Sequence, residues 1–185
     1  MSDLETMVRQ LHDRQAIRDC LATYCRGVDR LDRELLLSVY HEDAIDDHGV
    51  FVGSREEFAD WALGLHAQMQ HSTQHIITNH SCELDGDVAH SETYWMFASM
   101  NKQGAALTLS GGRYIDRFER RNGRWAIALR KCIADWAGAP GEGWGPPGLR
   151  EALNSGSPPR RDRSDPSYDR PLTFDESRRG YVFQI

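Results

Sequence analysis

An aspartate and a histidine in the sequence have the chemistry to act together as a general base. Asp29 stands in G-V-D-R, and His75 stands in S-T-Q-H-I-I-T-N, an otherwise strand-like apolar run. A carboxylate that accepts a hydrogen bond from one imidazole nitrogen fixes the tautomer and leaves the other nitrogen free to take a proton. Taken singly, each residue also fits an ordinary role, because aspartates at helix ends are commonly solvated and strand histidines are commonly hydrogen-bonded in the core.

A metal site is the alternative use of the histidines. His71 and His75 fall on one face of an extended segment, and a second cluster contains His41, Asp46, Asp47 and His48. Two histidines and one carboxylate form a known metal-binding set. The spacing here matches no motif with a defined geometry, so the sequence predicts neither a metal nor another cofactor.

The elements that must position Asp29 and His75 are helices first and strands afterwards. Apolar residues recur at three- and four-residue spacing from Leu4 to Leu31, which predicts a long amphipathic helix. Asp32 is a candidate N-cap for a short second helix, and S-R-E-E from Ser54 is a capping box for a third. Beyond residue 70, turn residues separate four extended segments, at 74–84, 88–100, 106–120 and 124–135. This order predicts an α+β fold, with three helices packed on a curved, mainly antiparallel sheet.

Composition limits the kinds of ligand and location that we expect. The chain has 185 residues, 39% of them hydrophobic, and a net charge of -6. This charge gives no electrostatic footprint for nucleic acid or an anionic membrane, so we expect a small, neutral or weakly charged ligand. The polar start of the chain predicts a cytoplasmic location. The four cysteines lack CxxC spacing and are expected to be free thiols.

The composition changes sharply after Trp136. All seven prolines and seven of the 16 glycines lie beyond this residue, which predicts a domain over 1–137 and an extension over 138–185. The extension contains apolar side chains, such as Trp144 and Phe174, that disordered segments usually lack. We therefore expect it to dock on the body or on a neighbouring subunit. Trp144 is placed to act as a lid or wall of the site, with a surface strap as the alternative.

Three segments, in this order, resemble the SnoaL-like family of the nuclear transport factor 2 superfamily. They are Y-C-R-G-V-D-R-L-D, T-Q-H-I-I-T-N and G-G-R-Y-I-D-R-F-E-R-R-N-G-R-W-A-I-A-L-R, and the resemblance extends from about residue 3 to residue 137. It implies a cone-like fold without a cofactor. It also implies assembly through an apolar face of the sheet, as a homotrimer or, as second choice, a dimer. The family includes both enzymes and non-catalytic subunits.

The resemblance implies a catalytic role for four residues. Asp29 and His75 match the family's acid-base pair, with His75 as the base. Arg130 matches an arginine that faces the cavity and can stabilise developing negative charge. Tyr24 matches a tyrosine that can donate to a substrate oxygen.

The predicted walls of the pocket come from strand alternation and aromatic content. Alternate residues of a strand share a face, so Ile77 and Asn79 are expected beside His75, and Cys132, Ala134 and Trp136 beside Arg130. Aromatic surface suited to a ring-containing substrate is expected from Trp61, Tyr94, Trp95 and Phe97. The proton donor is left open: His90 and Glu92 are the nearest candidates on the neighbouring strand.

These features predict a cofactor-independent lyase that acts on a small, hydrophobic, ring-containing substrate. His75 would remove a proton from a carbon next to a carbonyl or aromatic system, and water, halide or another group would leave the neighbouring carbon. The enzymatic alternatives are isomerisation by proton transfer and aldehyde-releasing carbon-carbon cleavage. The non-catalytic alternative is a ligand-binding module or a dioxygenase small-subunit-like module, which has no need of an aligned Asp/His pair.

Overall fold

The computed structural model describes residues 3–140, 161–164 and 177. Its elements are α1 (Asp3–Asp29), α2 (Arg33–Leu37), β1 (Tyr40–Asp47), β2 (Val52–Ser54), α3 (Arg55–Met69), β3 (Gln70–Asp85), β4 (Val88–Asn101), β5 (Leu107–Arg121) and β6 (Arg124–Gly138). The predicted α+β arrangement of three helices on a curved, mainly antiparallel sheet is confirmed. Most of the predicted extension, including Trp144, lies outside the described residues, so its docking stays a prediction.

The six strands form one sheet in the order β2-β1-β6-β5-β4-β3. Strands β3 to β6 form an antiparallel meander, as the turn residues predict, whereas β1 pairs in parallel with β6. Strands β1 and β2 were not predicted from the sequence. Strand β1 reads Y-H-E-D-A-I-D-D, and aspartate and glutamate are poor strand formers, so local sequence argues against a strand there. Pairing with β6 overrides that preference.

The predicted helix starts are confirmed. Asp32 caps α2 by accepting a hydrogen bond from the Leu35 backbone N–H at 3.0 Å. Ser54 and Glu57 form the capping box of α3, with the Ser54 backbone N–H donating to Glu57 Oε2 at 2.8 Å. These caps satisfy backbone donors that have no partner within the helix, and they fix where α2 and α3 begin.

The core lies between the helices and the inner face of the sheet. Buried apolar side chains from α1, α3 and the strands meet there, among them Ile17, Leu21, Phe58, Trp95 and Phe118.

Two cysteines and an aspartate of α1 are also buried. The cysteines are free thiols, as expected. Burial raises the pKa of Cys20 and of Cys25 to about 12. Among the described residues, none of the helices has the length and apolar character of a membrane span. Asp13 of α1 is also buried, where Arg120 and Trp125 donate to it and tie the helix to the sheet.

Candidate active site

The fold brings Asp29 and His75 into direct contact. Asp29 is the last residue of α1, and His75 lies on the facing strand β3. His75 Nδ1 lies 2.7 Å from Asp29 Oδ1, which also accepts from the Thr73 hydroxyl at 2.9 Å. The second carboxylate oxygen, Oδ2, accepts from the His75 backbone N–H at 2.9 Å. Since the carboxylate accepts all three bonds, the hydrogen of the neutral imidazole sits on Nδ1, and Nε2 is the atom that can take a proton.

His75 faces a cavity of about 150 Å³ between the helices and the sheet. Within the described residues, six aromatic side chains line it: Tyr24, Phe58, Trp61, Trp95, Phe97 and Tyr114. An apolar cavity of about 150 Å³ can hold one benzene ring. The cavity therefore fits a single six-membered ring beside the imidazole of His75.

Several of the predicted pocket residues line this cavity. Tyr24, Trp61 and Cys132 do so, together with the aromatic pair Trp95 and Phe97. Ile77 is only partly buried and packs against the core without lining the cavity.

Four of the predicted pocket residues are exposed and do not line the cavity: Asn79, Tyr94, Ala134 and Trp136. An irregularity in the β3–β4 pairing between Ile77 and His80 breaks the alternation, so that Thr78 and Asn79 are both exposed. A second one, in β5–β6, turns Trp136 to the outer face, where its ring covers Gly111. Tyr94 alternates with the inward-facing Trp95, and Ala134 lies in the C-terminal part of β6, which is exposed.

Arg130 occupies a different position from the predicted one. It is completely buried and does not line the cavity. Its guanidinium makes two hydrogen bonds of 2.8 Å to the carboxylate of Asp116, and it lies over two rings, 4.1 Å from the Tyr24 centroid and 4.0 Å from the Tyr114 centroid. Burial raises the pKa of Asp116, and the charge of Arg130 opposes that rise. Arg130 thus supports two cavity tyrosines from behind, and substrate in the cavity would not touch it.

His48 is a cavity residue that the sequence analysis did not place in the pocket. It follows β1 directly, and its Nδ1 contacts Oδ1 of Asp46, which is completely buried. The Tyr40 hydroxyl donates to the other oxygen of Asp46 at 2.5 Å. Burial lowers the pKa of His48, but Asp46 and the neighbouring Cys132 outweigh that effect, and the pKa rises to about 9. The D-D-H-G sequence was the available signal, yet it indicated only a candidate metal cluster.

The metal alternative is not supported by where its residues lie. His41 hydrogen-bonds the Glu119 carbonyl at 2.9 Å, away from His48, and His71 is exposed. Within residues 3–140, 161–164 and 177, no group of three His, Cys, Asp or Glu side chains is arranged to hold a metal ion.

The two residues that the sequence offered as candidates for the proton donor do not face the cavity. His90 is exposed, and Glu92 forms an ion pair with Arg113 at 3.1 Å. Both lie on β4 positions that alternate with the inward-facing ones.

His66 of α3 is the third histidine of the cavity lining. Burial lowers its pKa to about 4, with His75 adding to the effect, so its imidazole is neutral near pH 7. Nδ1 lies 3.1 Å from the Gln70 side-chain oxygen, which leaves Nε2 as an acceptor. Beside it, Arg161 of the C-terminal part donates to the carbonyls of His66 and Gln70 at 2.7 and 2.9 Å. This arginine fixes the junction between α3 and β3 next to the cavity.

Comparisons with known proteins agree with this architecture. The family model described as a SnoaL-like domain matches residues 9–131. Hexachlorocyclohexane dehydrochlorinase 1 of Sphingobium indicum is 29% identical over 153 residues, which are 80% of this chain and 96% of that protein. A crystal structure of a type 2 hexachlorocyclohexane dehydrochlorinase matches with a TM-score of 0.69 at 26% identity, over 80% of this chain and 99% of the other.

A second solved structure shares the fold at lower identity. It is a putative scytalone dehydratase from Novosphingobium aromaticivorans, with a TM-score of 0.65 and 15% identity, over 72% of this chain and 91% of the other. The family model spans well over half of the sequence and includes both Asp29 and His75. The protein therefore belongs to the family of SnoaL-like domain proteins.

Proposed function

We propose that the protein is a lyase that eliminates a small group from a single-ring substrate without a cofactor. The observation that carries this proposal is the 2.7 Å contact between His75 Nδ1 and Asp29 Oδ1, at a histidine that lines an aromatic cavity. A module that only binds a ligand has no need of an oriented imidazole. The similarity to a dehydrochlorinase over nearly its whole length supports the same class of reaction.

In the proposed reaction His75 is the base. Its Nε2 removes a proton from a carbon next to a carbonyl or aromatic group, and the electrons of that C–H bond form a double bond as the leaving group departs. Asp29 holds the ring in the required tautomer and stabilises the imidazolium that forms. A positioned general base contributes about 10²- to 10⁴-fold to the rate, and the walls of the cavity add positioning of the ring.

The dimensions of the cavity favour a small substrate. A volume of about 150 Å³ is enough for one six-membered ring, and the aromatic lining favours an uncharged one. Cyclic ketones with a leaving group on the β carbon meet these requirements. Hexachlorocyclohexane, the compound named in two similar proteins, is a bulkier single-ring compound without a carbonyl group and serves as a second probe.

Three probes test the reaction class. Loss of water from 3-hydroxycyclohexanone gives 2-cyclohexenone, which is detected by its absorbance. Elimination from γ-hexachlorocyclohexane is measured as the chloride released into solution. Isomerisation of 3-cyclohexenone also gives 2-cyclohexenone, so the same absorbance reports the alternative. We expect elimination to be the faster process. We also expect His75→Ala and Asp29→Asn each to lower kcat/KM by about 10²-fold or more.

The matched control is Asp19→Asn, which changes an exposed aspartate on the same helix that accepts from the neighbouring Gln15 side chain. It should retain wild-type turnover. Full activity in both His75→Ala and Asp29→Asn would contradict the proposed mechanism. Faster turnover of 3-cyclohexenone than of either elimination probe would make the protein an isomerase.

A further inference from the structure

We propose that His48 is an acid that acts through Tyr24, which protonates a hydroxyl leaving group, so that the group eliminated from the substrate is water. This inference rests on the lyase function proposed above. It names the proton donor that the Asp29/His75 pair lacks, and it narrows the class of substrate.

Three contacts fix the position of His48: one of its backbone, one of its ring face and one of its Nδ1 atom. Its backbone N–H donates to the Phe51 carbonyl at 2.8 Å in the turn between β1 and β2, and its ring stacks on Phe58 with centroids 4.7 Å apart. Nδ1 contacts Asp46, whose other oxygen accepts from the Tyr40 hydroxyl. A buried carboxylate with two such donors acts as the orienting partner of the imidazole, in the same way as Asp29 does for His75.

Among the residues that the structure describes, few charges surround this imidazole. From β1 it meets the Asp46 carboxylate, from α1 the Tyr24 hydroxyl, from β6 the Cys132 thiol, and from α3 and β5 only the rings of Phe58, Trp61 and Tyr114. The Arg130–Asp116 ion pair lies behind the tyrosines and has no net charge. Burial lowers the pKa of His48, but Asp46, together with Cys132, outweighs burial, and with a pKa of about 9 the imidazole is an imidazolium at neutral pH.

A charged His48 determines what Tyr24 can do. Both ring nitrogens of an imidazolium are donors, so Nδ1 donates to Asp46, and Nε2, 3.5 Å from the Tyr24 oxygen, has a hydrogen that it can donate to that oxygen. Contacts of this length in a free enzyme commonly shorten when substrate binds. Tyr24 then accepts from His48, and its own hydrogen is available to the cavity that it lines. Burial raises the pKa of Tyr24 well above its ordinary value, which keeps that hydrogen in place until a stronger acceptor forms.

Tyr24 lies between the two histidines, with its ring centroid 6.4 Å from that of His75. A ring in the cavity would have the base at one carbon and the acid at the oxygen of the next. His75 Nε2 takes the proton from carbon, the C–H electrons form the double bond, and the C–O bond breaks. The departing oxygen takes the Tyr24 hydrogen, Tyr24 takes the Nε2 hydrogen of His48, and water leaves. One proton has then moved from His48 to His75, and exchange with solvent restores both.

The presence of an acid indicates the leaving group. Hydroxide is a poor leaving group because its conjugate acid, water, has a pKa near 15.7, so an alcohol must be protonated as its C–O bond breaks. Chloride leaves as a stable anion and needs no proton. His66 cannot take this role, because it is neutral and its Nδ1 hydrogen is directed to Gln70.

The experiment compares two substrates that differ only in the leaving group. Both 3-hydroxycyclohexanone and 3-chlorocyclohexanone give 2-cyclohexenone, and the uncatalysed loss of chloride is subtracted. We expect His48→Gln to lower kcat for the hydroxy ketone by about 10²-fold or more, and for the chloro ketone by less than about tenfold. His75→Ala should lower both rates together. The exposed His90→Gln on β4 is the matched control and should change neither rate.

The pH profile gives an independent test that needs no variant of His48. Because the pKa of His48 is raised to about 9, the acid is present below that pH, and turnover of the hydroxy ketone by the wild type should fall as the pH rises through 9. Asp46→Asn removes the charge that raises this pKa, so the fall should move to lower pH. The profile for the chloro ketone should lack this fall.

The outcomes separate the two proposals. Equal losses for both ketones in His48→Gln, or the same high-pH fall for both in the wild type, would overturn the role of His48 and leave the lyase function intact. A wild-type protein that turns over neither ketone, or a His75→Ala variant as active as the wild type, would overturn the lyase function itself.

Discussion

At the residue scale, the cavity holds three histidines whose neighbours give them different properties. Asp29 orients His75, Asp46 holds a positive charge on His48, and burial beside Gln70 keeps His66 neutral. In the reaction that we propose, one aromatic cavity therefore contains a base, an acid and a neutral acceptor. The identical side-chain type takes separate roles because each ring has its own partner.

Behind the histidines, the Arg130–Asp116 pair is expected to act on stability. Arg130→Met leaves the Asp116 carboxylate completely buried without its partner, and breaking such a pair costs about 3–5 kcal/mol of unfolding free energy. Denaturant unfolding measures the loss, and adding Asp116→Asn should recover part of it. The control is Arg113→Met on the neighbouring strand β5, whose ion pairs are partly exposed and worth about 0–1 kcal/mol. Equal losses in the two single variants would contradict this assignment.

At the scale of elements, β5 and β6 approach each other closely where Gly112 lies. A Cβ built on Gly112 would stand 1.9 Å from the carbonyl oxygen of Ile133 and 2.8 Å from the Trp95 ring. The first of these atoms is backbone, so the strands themselves would have to separate. This site is also where the pairing of β5 with β6 is irregular.

Gly112→Ala should therefore destabilise the protein by about 1–3 kcal/mol or more. Gly64→Ala is the matched control, because this residue is exposed within α3 and a Cβ there would meet no atom within 4 Å. Alanine favours a helix over glycine by about 0.5–1 kcal/mol, so this control should gain stability. Thermal unfolding compares the two. A Gly112→Ala protein as stable as the wild type would show that β6 can shift without cost.

How much the sequence could predict depends on whether the signal is local. The helices, their caps and the four long strands follow from periodicity and turn residues near each position. The contact of Asp29 with His75 was foreseen because both residues lie in motifs of the family. His48 was not placed in the pocket, since its strand β1 is acidic and exists through pairing with the distant β6. Asn79 and Trp136 were assigned to the wrong face because single-residue irregularities reverse the alternation, and periodicity contains no sign of them.

At the scale of the whole molecule, the outer face of the sheet presents an apolar row. The row contains one residue from each of β3, β4, β5 and β6, and each is the cross-strand neighbour of the next: Ile76, Met96, Gly111 and Trp136. Ile76 is 41%, Met96 39% and Trp136 48% exposed in the single chain. Contiguous apolar surface of this kind commonly marks a contact with another protein. We expect this row to lie in a subunit interface.

The expected assembly is a homotrimer, with a dimer as second choice. Met96→Lys places a charge in the middle of the row and should lower the mass measured by light scattering at micromolar concentration. His90→Lys, six positions along the same face of β4, should leave the mass unchanged because His90 lies outside the row. A wild-type protein that is a stable monomer would rule out both the trimer and the dimer.

The parallel pairing of β1 with β6 has a consequence for how the chain is made. Ribosomes release β1 early, and its partner, the residues around 127–131 of β6, emerges only after almost the entire body has been synthesised. During that interval the strand has an unpaired edge, which in an apolar strand would invite pairing with other nascent chains. Glu42 and Asp43, both exposed, give β1 a negative charge that repels such partners. The acidic residues that make β1 hard to recognise as a strand in the sequence are thus suited to limiting the pairing of its free edge with other chains until β6 has been synthesised.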